Sequence, residues 1–362
     1  MTTTALLATG GYSTSDRGRG PGIALLRLEI RPAGDGPAVT AQTLATVDLP
    51  NPSFLLWSPD GTLLHAVLET EPTRVVTLRV SPDGTAAKVI ADLPIDGSGG
   101  CHLAYGPGGP GGRTLVIAQY GSGSVATIAL DADGVPTAQI DLDDHREGRD
   151  RGADMDPHPH QAVVLPGTDV IAVPDLGLDT VMLYRRDPGG GMDLAGEIVV
   201  GRGTGPRHLA ADHESQQLHI AGELSGAIVT AHREDDGQQR GTTSLPVSRH
   251  RWGVRSVVPA SSAEGPNALS HIELTADESH LLVANRGPDS LSLLSLAGMR
   301  PSLVAETPVG EHPRHFTQIG DLVLVAAQEA DRIDVLRRSE GTLEVAGEPI
   351  PLPSVACLTV RP

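Results

Sequence analysis

An all-β ring of four-stranded sheets, a seven-bladed β-propeller, is the fold this sequence predicts, and three observations carry it. First, 43 glycines and 29 prolines in 362 residues demand many turns and short elements. Second, Val, Leu, Ile and Ala come in short runs bounded by Gly, Pro, Asp and Ser, which is strand-and-turn patterning. No stretch sustains a 3.6-residue period, so long helices are not expected. Third, one two-strand unit recurs along the whole chain, and a period of roughly 40 to 65 residues is what a propeller blade requires.

The units begin at Ser53 (SFLLWSPDGTLLHAVLE), Cys101 (CHLAYGPGGPGGRTLVIAQYG), His160 (HQAVVLPGTDVIAVPDLG), Arg207 (RHLAADHESQQLHIAGELS), Ser270 (SHIELTADESHLLVANRG) and Arg314 (RHFTQIGDLVLVAAQE). Each is followed by a third short apolar strand such as TVMLYRR or SLSLLSL, and usually by a fourth such as EIVVG. PSVACLTV at the C-terminal end and TALLATGGY at the N-terminal end supply the inner pair of one more blade, so the last blade is closed by strands from both termini. Such closure removes open sheet edges. The expectation is a single propeller domain over residues 1–362.

Composition narrows the partners. A formal net charge of −18 opposes nucleic acid, whose binding needs Lys and Arg on phosphates, and opposes anionic membrane surfaces. Two cysteines, Cys101 and Cys357, make neither a disulfide framework nor a metal-ligand spacing. The N-terminal stretch has no basic region, and no run of about 18 apolar residues is present. A cytoplasmic chain, monomeric or weakly oligomeric, is expected.

Because a hairpin brings its chain back to the side it left, the start of each inner strand and the exit of the second strand share one face. The first inner-strand position reads Ser53, Cys101, His160, Arg207, Ser270, Arg314, Ser354, and the next reads Phe54, His102, Gln161, His208, His271, His315, Val355. The exits read Glu69, Tyr120, Asp175, Glu223, Arg286, Gln328, with Gly11 and Tyr12 closing the set. Polar function therefore gathers at one mouth. Arg207, Arg286 and Arg314 suit a carboxylate or phosphate. His102, His208 and His315 suit either substrate contact or hydrogen bonds that lock blade to blade, and Asp175 either substrate contact or a tight turn. His158 and His160 with Asp175 offer a weaker, metal-binding alternative. Arg240, Arg249, Arg251 and Arg255, in the long insertion before Ser270, cap the mouth or lie in a solvated loop. No nucleotide loop or G-x-S-x-G elbow is present.

The segments GCHLAYG, VIAQYGSGSV, HPHQAVV, VPDLGLDTVMLYR, GPRHLA, GELS, LLVANRGPDSLSLL and HPRHF resemble the lactonase-type seven-bladed β-propellers. That family includes bacterial 6-phosphogluconolactonases and fungal carboxy-cis,cis-muconate cyclases. In the cyclase branch catalysis is assigned to a His, two Arg and a Glu. Carried over by motif, these imply His160, Arg207, Glu223 and Arg286, with His158 as the other histidine of the PHxH motif. One departure stands out: where relatives read roughly A-E-I-H, this chain reads Ser270-His271-Ile272-Glu273.

The expectation is a cofactor-independent hydrolase of an anionic sugar or organic-acid lactone. Its catalytic residues are His160, Arg207, Glu223 and Arg286, with Glu223 or His160 as general base. His158, Asp175, His208, His271, Arg314 and Gln328 contact the substrate. A muconate-type cycloisomerase and a propeller that only binds are the alternatives.

Overall fold

The computed structural model describes residues 2–31, 38–107, 114–147, 156–187, 189–234 and 251–362. Its strands form seven antiparallel sheets. β1 (Thr3–Gly11), β2 (Ile23–Ile30) and β3 (Val39–Val47) are completed by the last strand, β29 (Val355–Val360), which takes the innermost place. The second blade is β4 (Pro52–Trp57), β5 (Leu63–Leu68), β6 (Thr73–Val80) and β7 (Ala87–Ile95). The third is β8 (Gly100–Tyr105), β9 (Thr114–Gln119), β10 (Ser124–Leu130) and β11 (Pro136–Asp144), and the fourth β12 (Val163–Val164), β13 (Val170–Asp175), β14 (Thr180–Arg186) and β15 (Met192–Val199). The fifth is β16 (Pro206–Ala211), β17 (Gln217–Gly222), β18 (Ala227–Glu234) and β19 (Arg251–Pro259). The sixth is β20 (Ala268–Leu274), β21 (His280–Arg286), β22 (Ser290–Ser295) and β23 (Ser302–Pro308). The seventh is β24 (Pro313–Ile319), β25 (Leu322–Ala327), β26 (Arg332–Ser339) and β27 (Thr342–Val345), with β28 (Ile350–Pro351) paired to β26. The all-β, seven-bladed expectation and its closure by both termini hold.

The core lies between blades rather than within one layer. Seven apolar clusters each join neighbouring blades, and one of them joins Leu7, Leu26 and Leu358 of the first to Leu324 and Val335 of the seventh. Second strands such as β5 and β25 are buried along their whole length, because both faces meet a neighbouring blade. Outer strands such as β11 alternate with solvent. Each fully buried Leu or Val contributes roughly 1.5–3 kcal/mol, so closing the ring is itself a large apolar gain.

Two backbone devices set the mouth. In five blades the residue two places before the mouth position has a left-handed backbone: Asn51, Gly99, Gly205, His312 and Ser354. Their carbonyls accept the N–H of Glu69, Tyr120, Glu223, Gln328 and Tyr12 in turn, at 2.8–3.1 Å. Next, a register shift at the start of the inner strand re-aims one residue, as between Pro206 and His208 or Pro313 and His315. In the first blade this shift falls between Val355 and Cys357. The ring positions there are therefore Ala356 and Cys357, two residues past the expected Ser354 and Val355. Ser354 is the left-handed residue instead.

Of the two alternatives for the arginine insertion, capping the mouth or lying in a solvated loop, Arg251 and Arg255 take neither. Both belong to β19, at the outer rim, and Arg255 reaches Glu234 at 3.5 Å. Arg240 and Arg249 lie outside the described residues.

Candidate active site

Blades five and six build the first half of the mouth. Arg207, on the shifted start of β16, is 2% exposed, and its Nη1 donates to the Ser270 carbonyl at 2.6 Å. Arg286, ending β21, donates to the carbonyls of Ala268 (3.1 Å) and Leu269 (3.0 Å). With those anchors fixed, both guanidiniums converge on one oxygen. Glu223 Oε2 lies 3.1 Å from Arg207 Nε and 2.8 Å from Arg286 Nη2. The Arg207 Nε–H has no aligned acceptor, so that contact is ionic rather than a directed hydrogen bond. Burial, then repulsion from Arg286, pulls Arg207 down to about 9, which still leaves it charged at neutral pH.

Blades seven, one and two build the second half. The Tyr12 hydroxyl donates to Glu69 Oε2 at 2.7 Å, and Arg17 Nη2 donates to Glu69 Oε1 at 2.6 Å. Arg314 lies over the Tyr12 ring, 5.1 Å from its centroid, and makes no hydrogen bond or ion pair with the described residues. Burial opposes its charge, but Tyr12, Glu69 and Glu223 outweigh it and hold its pKa above the ordinary value. Burial and the three arginines Arg286, Arg314 and Arg207 lower His312 to about 4, so a neutral imidazole stands beside these cations. Gln328, 9% exposed, is tied to Glu329 at 2.7 Å.

Blades three and four close the circle. His158 stacks on Tyr120 with centroids 4.2 Å apart, and its Nδ1 meets the Tyr120 carbonyl at 2.8 Å. His160 stands edge-on to Tyr120 at 5.5 Å, with Nδ1 3.7 Å from Cys101 Sγ. Burial, followed by Arg207 and Arg314, holds His160 well below the usual histidine pKa. Burial pushes the Cys101 thiol up to about 12, so it is no nucleophile.

One residue deeper lies a second ring. His102 and His208 meet edge to face at 5.6 Å, His208 and His271 at 5.1 Å, and His271 stacks on His315 at 4.1 Å. His102 accepts from the Ala162 N–H and His315 from the Leu358 N–H, both at 3.4 Å, while Gln161 accepts from the Leu209 N–H at 2.7 Å. Each donor is the third inner-strand residue of the next blade. These side chains lock blade to blade. Beneath them a cavity of about 500 Å³, lined by second-ring and later inner-strand residues, faces the other end of the channel.

The comparisons with known proteins bear on the family and the fold. Residues 7–360 match the family model described as lactonase, 7-bladed beta-propeller. This chain belongs to the lactonase family of seven-bladed β-propellers. It is 26% identical over 299 residues to a 6-phosphogluconolactonase of Enterobacter sp. (strain 638), covering 80% of this chain and 82% of that one. A 6-phosphogluconolactonase of Yersinia pestis (strain Pestoides F) is 26% identical over 311 residues, 83% of this chain and 85% of that one. In shape the chain is similar to the Pseudomonas aeruginosa periplasmic gluconolactonase PpgL, with TM-score 0.84, 24% identity and 99% of each chain covered.

In this lactonase propeller the fold brings together Arg207, Glu223 and Arg286 directly, and sets Arg314, His158, His160 and Gln328 around the same mouth. Asp175 is not brought there. It is fully buried, its Oδ1 accepting from the N–H groups of His158, Gly177 and Leu178 and its Oδ2 lying 2.6 Å from His145 Nδ1. Blade four pairs Pro159 with Asp175, so the exit position belongs to Leu176, whose N–H donates to the His158 carbonyl. With Asp175 committed and His158 Nδ1 on a carbonyl, those residues do not converge as metal ligands, and no such group occurs among the described residues. His208 and His271 lie in the second ring, below the mouth. Among the described residues no helix is long and apolar enough to cross a membrane.

Sequence reasoning missed His312 and placed Tyr12, Glu69 and Tyr120 in the rings without assigning them a site role. A signal for His312 was present: His312-Pro313-Arg314 repeats His158-Pro159-His160, two placements of a histidine beside a mouth position.

Proposed function

We propose that this propeller, acting as one domain over its whole length, hydrolyses a lactone that carries a carboxylate or phosphate. One observation carries the reading: two guanidiniums share a single Glu223 oxygen, while the third, Arg314, holds no anion among the described residues. Arg314 with its five donors is the seat for the substrate's fixed anion. Arg207 and Arg286 face the lactone carbonyl and take up the oxyanion as it forms.

Glu223, its side chain 21% exposed, is the general base. It removes a proton from water, and the hydroxyl oxygen adds to the lactone carbonyl. The growing oxyanion competes with Glu223 for the anchored guanidiniums, so the carboxylate gains basicity as it is needed. When the carbonyl reforms, the ring C–O bond breaks and Glu223 returns its proton to the departing oxygen. The product hydroxy acid then ionises and releases one proton. His160, which the sequence left as an alternative base, is unsuited: its imidazolium would sit among three guanidiniums. As a neutral ring it positions substrate beside Tyr120.

Support comes from the family membership and from two relatives named 6-phosphogluconolactonase. The buried free thiols of Cys101 and Cys357 suit the reducing cytoplasm expected from the sequence. The test is a panel of phosphorylated, carboxylated and neutral lactones, assayed by acid release, with Glu223→Gln as control. Hydrolysis of an anionic lactone above background, lost in the variant, is expected. Background rates throughout, or closure of a muconate without lactone hydrolysis, would sink the proposal.

A further inference from the structure

The histidine ring separates the mouth from the lower cavity, and a line of hydrogen bonds runs from a member of that ring, His208, down to the cavity. His208 Nδ1 lies 2.8 Å from His271 Nδ1, and His271 Nε2 lies 3.0 Å from Glu273 Oε1. Glu273 and His271 line the lower cavity; His208, one residue below Arg207, stands edge-on to His160 at 5.4 Å. Gln318 Nε2 donates to the other Glu273 oxygen at 2.8 Å and fixes the carboxylate.

We propose that His208, His271 and Glu273 form a proton relay that carries the proton released at the mouth to the cavity on the far face. This rests on the hydrolytic reading, which leaves one proton per turnover to be removed.

The tautomers follow from the distances. An ionised Glu273 accepts from His271 Nε2–H. Neutral His271 then has a bare Nδ1, which accepts from His208 Nδ1–H, and His208 is left with a bare Nε2. A proton added at His208 Nε2 displaces Nδ1–H onto His271 Nδ1, and His271 Nε2–H passes to Glu273. At the end Glu273 is protonated, His271 carries Nδ1–H and His208 carries Nε2–H. Three N/O–H bonds have formed, two N–H bonds have broken, and the added proton makes the difference. Both histidines are neutral before and after. That suits their surroundings: Arg207, His102 and His160 face His208, while Arg207 and His315 face His271. Glu273 is faced by His271, His315 and Gln318, and burial raises its pKa, which favours the protonated end state. Loss of that proton to solvent through the open cavity leaves His208 with Nε2–H and His271 with Nδ1–H, and the line is reset when both imidazoles turn over or exchange these protons.

Glu273→Gln keeps an amide in the same space but cannot accept the proton. In wild-type enzyme, kcat should not depend on buffer concentration. In the variant, kcat at low buffer should fall about tenfold or more with KM unchanged, and added imidazole should restore it in proportion to its concentration. A variant within twofold of wild type, or a loss that buffer does not restore, overturns the relay. A readout without turnover is the ¹⁵N spectrum of histidine-labelled wild type at pH 8. His208 should be protonated at Nδ1 and His271 at Nε2; both protonated at Nε2 overturns the relay. A wild type inert to every lactone would sink the hydrolytic reading, while those tautomers still decide the relay.

Discussion

Two rings, one residue apart on the same seven inner strands, have opposite chemistry. The upper ring, Ala356, Ser53, Cys101, His160, Arg207, Ser270 and Arg314, holds two of the three arginines of the mouth. The lower ring, Cys357, Phe54, His102, Gln161, His208, His271 and His315, holds neutral rings that grip the next blade. Successive strand residues point opposite ways, and the register shift that leaves Arg207 and Arg314 unpaired re-aims the upper position further. Each ring constrains the other. Burial, together with Arg207 and the neighbouring histidines, opposes protonation of the lower ring, which therefore stays neutral beneath a cationic mouth.

The largest break in this contrast comes from Glu223→Gln in the upper half. It removes the base and leaves two guanidiniums facing each other, so kcat should fall about 10²–10⁴-fold. A rate within tenfold of wild type on the same lactone would remove Glu223 from the chemistry.

Acid should break the lower ring. Its histidines have folded-state pKa values below the ordinary 6.5 or so of an unfolded chain, with His271 lowered to about 3. The unfolded state therefore binds more protons across that window. Stability is complete above about pH 6.5 and falls as pH drops toward the folded values, by up to about 1.4 kcal/mol per unit for each histidine. His65 and His219, buried against threonines and lowered to about 4, add to the same slope. Thermal unfolding between pH 7.5 and 4.5 should show this as a steep decline, and a flat profile would mean the ring histidines titrate as they do in the unfolded chain.

Arg314→Gln sharpens the division within the mouth. Losing a charged hydrogen bond of about 1.5–3 kcal/mol should raise KM for an anionic lactone roughly 10–100-fold, with kcat little changed. A neutral lactone should be unaffected; equal loss on both would return Arg314 to a structural role.

The smallest effect belongs to His102→Phe, which leaves the Ala162 N–H without its acceptor. Unfolding should become easier by about 1–3 kcal/mol while kcat stays within a few-fold. A large kcat loss at unchanged stability would place His102 itself in the reaction.

The sequence by itself determined the seven blades, their closure by both termini, and the gathering of polar residues at one mouth. Those follow from local patterning: an apolar run makes a strand, a Gly or Asp turn makes a hairpin, and a hairpin returns to its own side. Arg207, Glu223 and Arg286 were legible for the same reason, since each sits at a hairpin end within a recognisable motif. Only the tertiary structure decided that two blades share one Glu223 oxygen and that Arg314 is left over, because those contacts exist only once the ring has closed. It also moved the ring positions from Ser354 to Ala356 and from Asp175 to Leu176. Left-handed residues and register shifts displace a side chain by one or two places, and residue type alone does not record them. The Ser270-His271-Ile272-Glu273 order likewise reads as a simple exchange in sequence, yet in space it puts a histidine in the locking ring and a carboxylate in the cavity beneath.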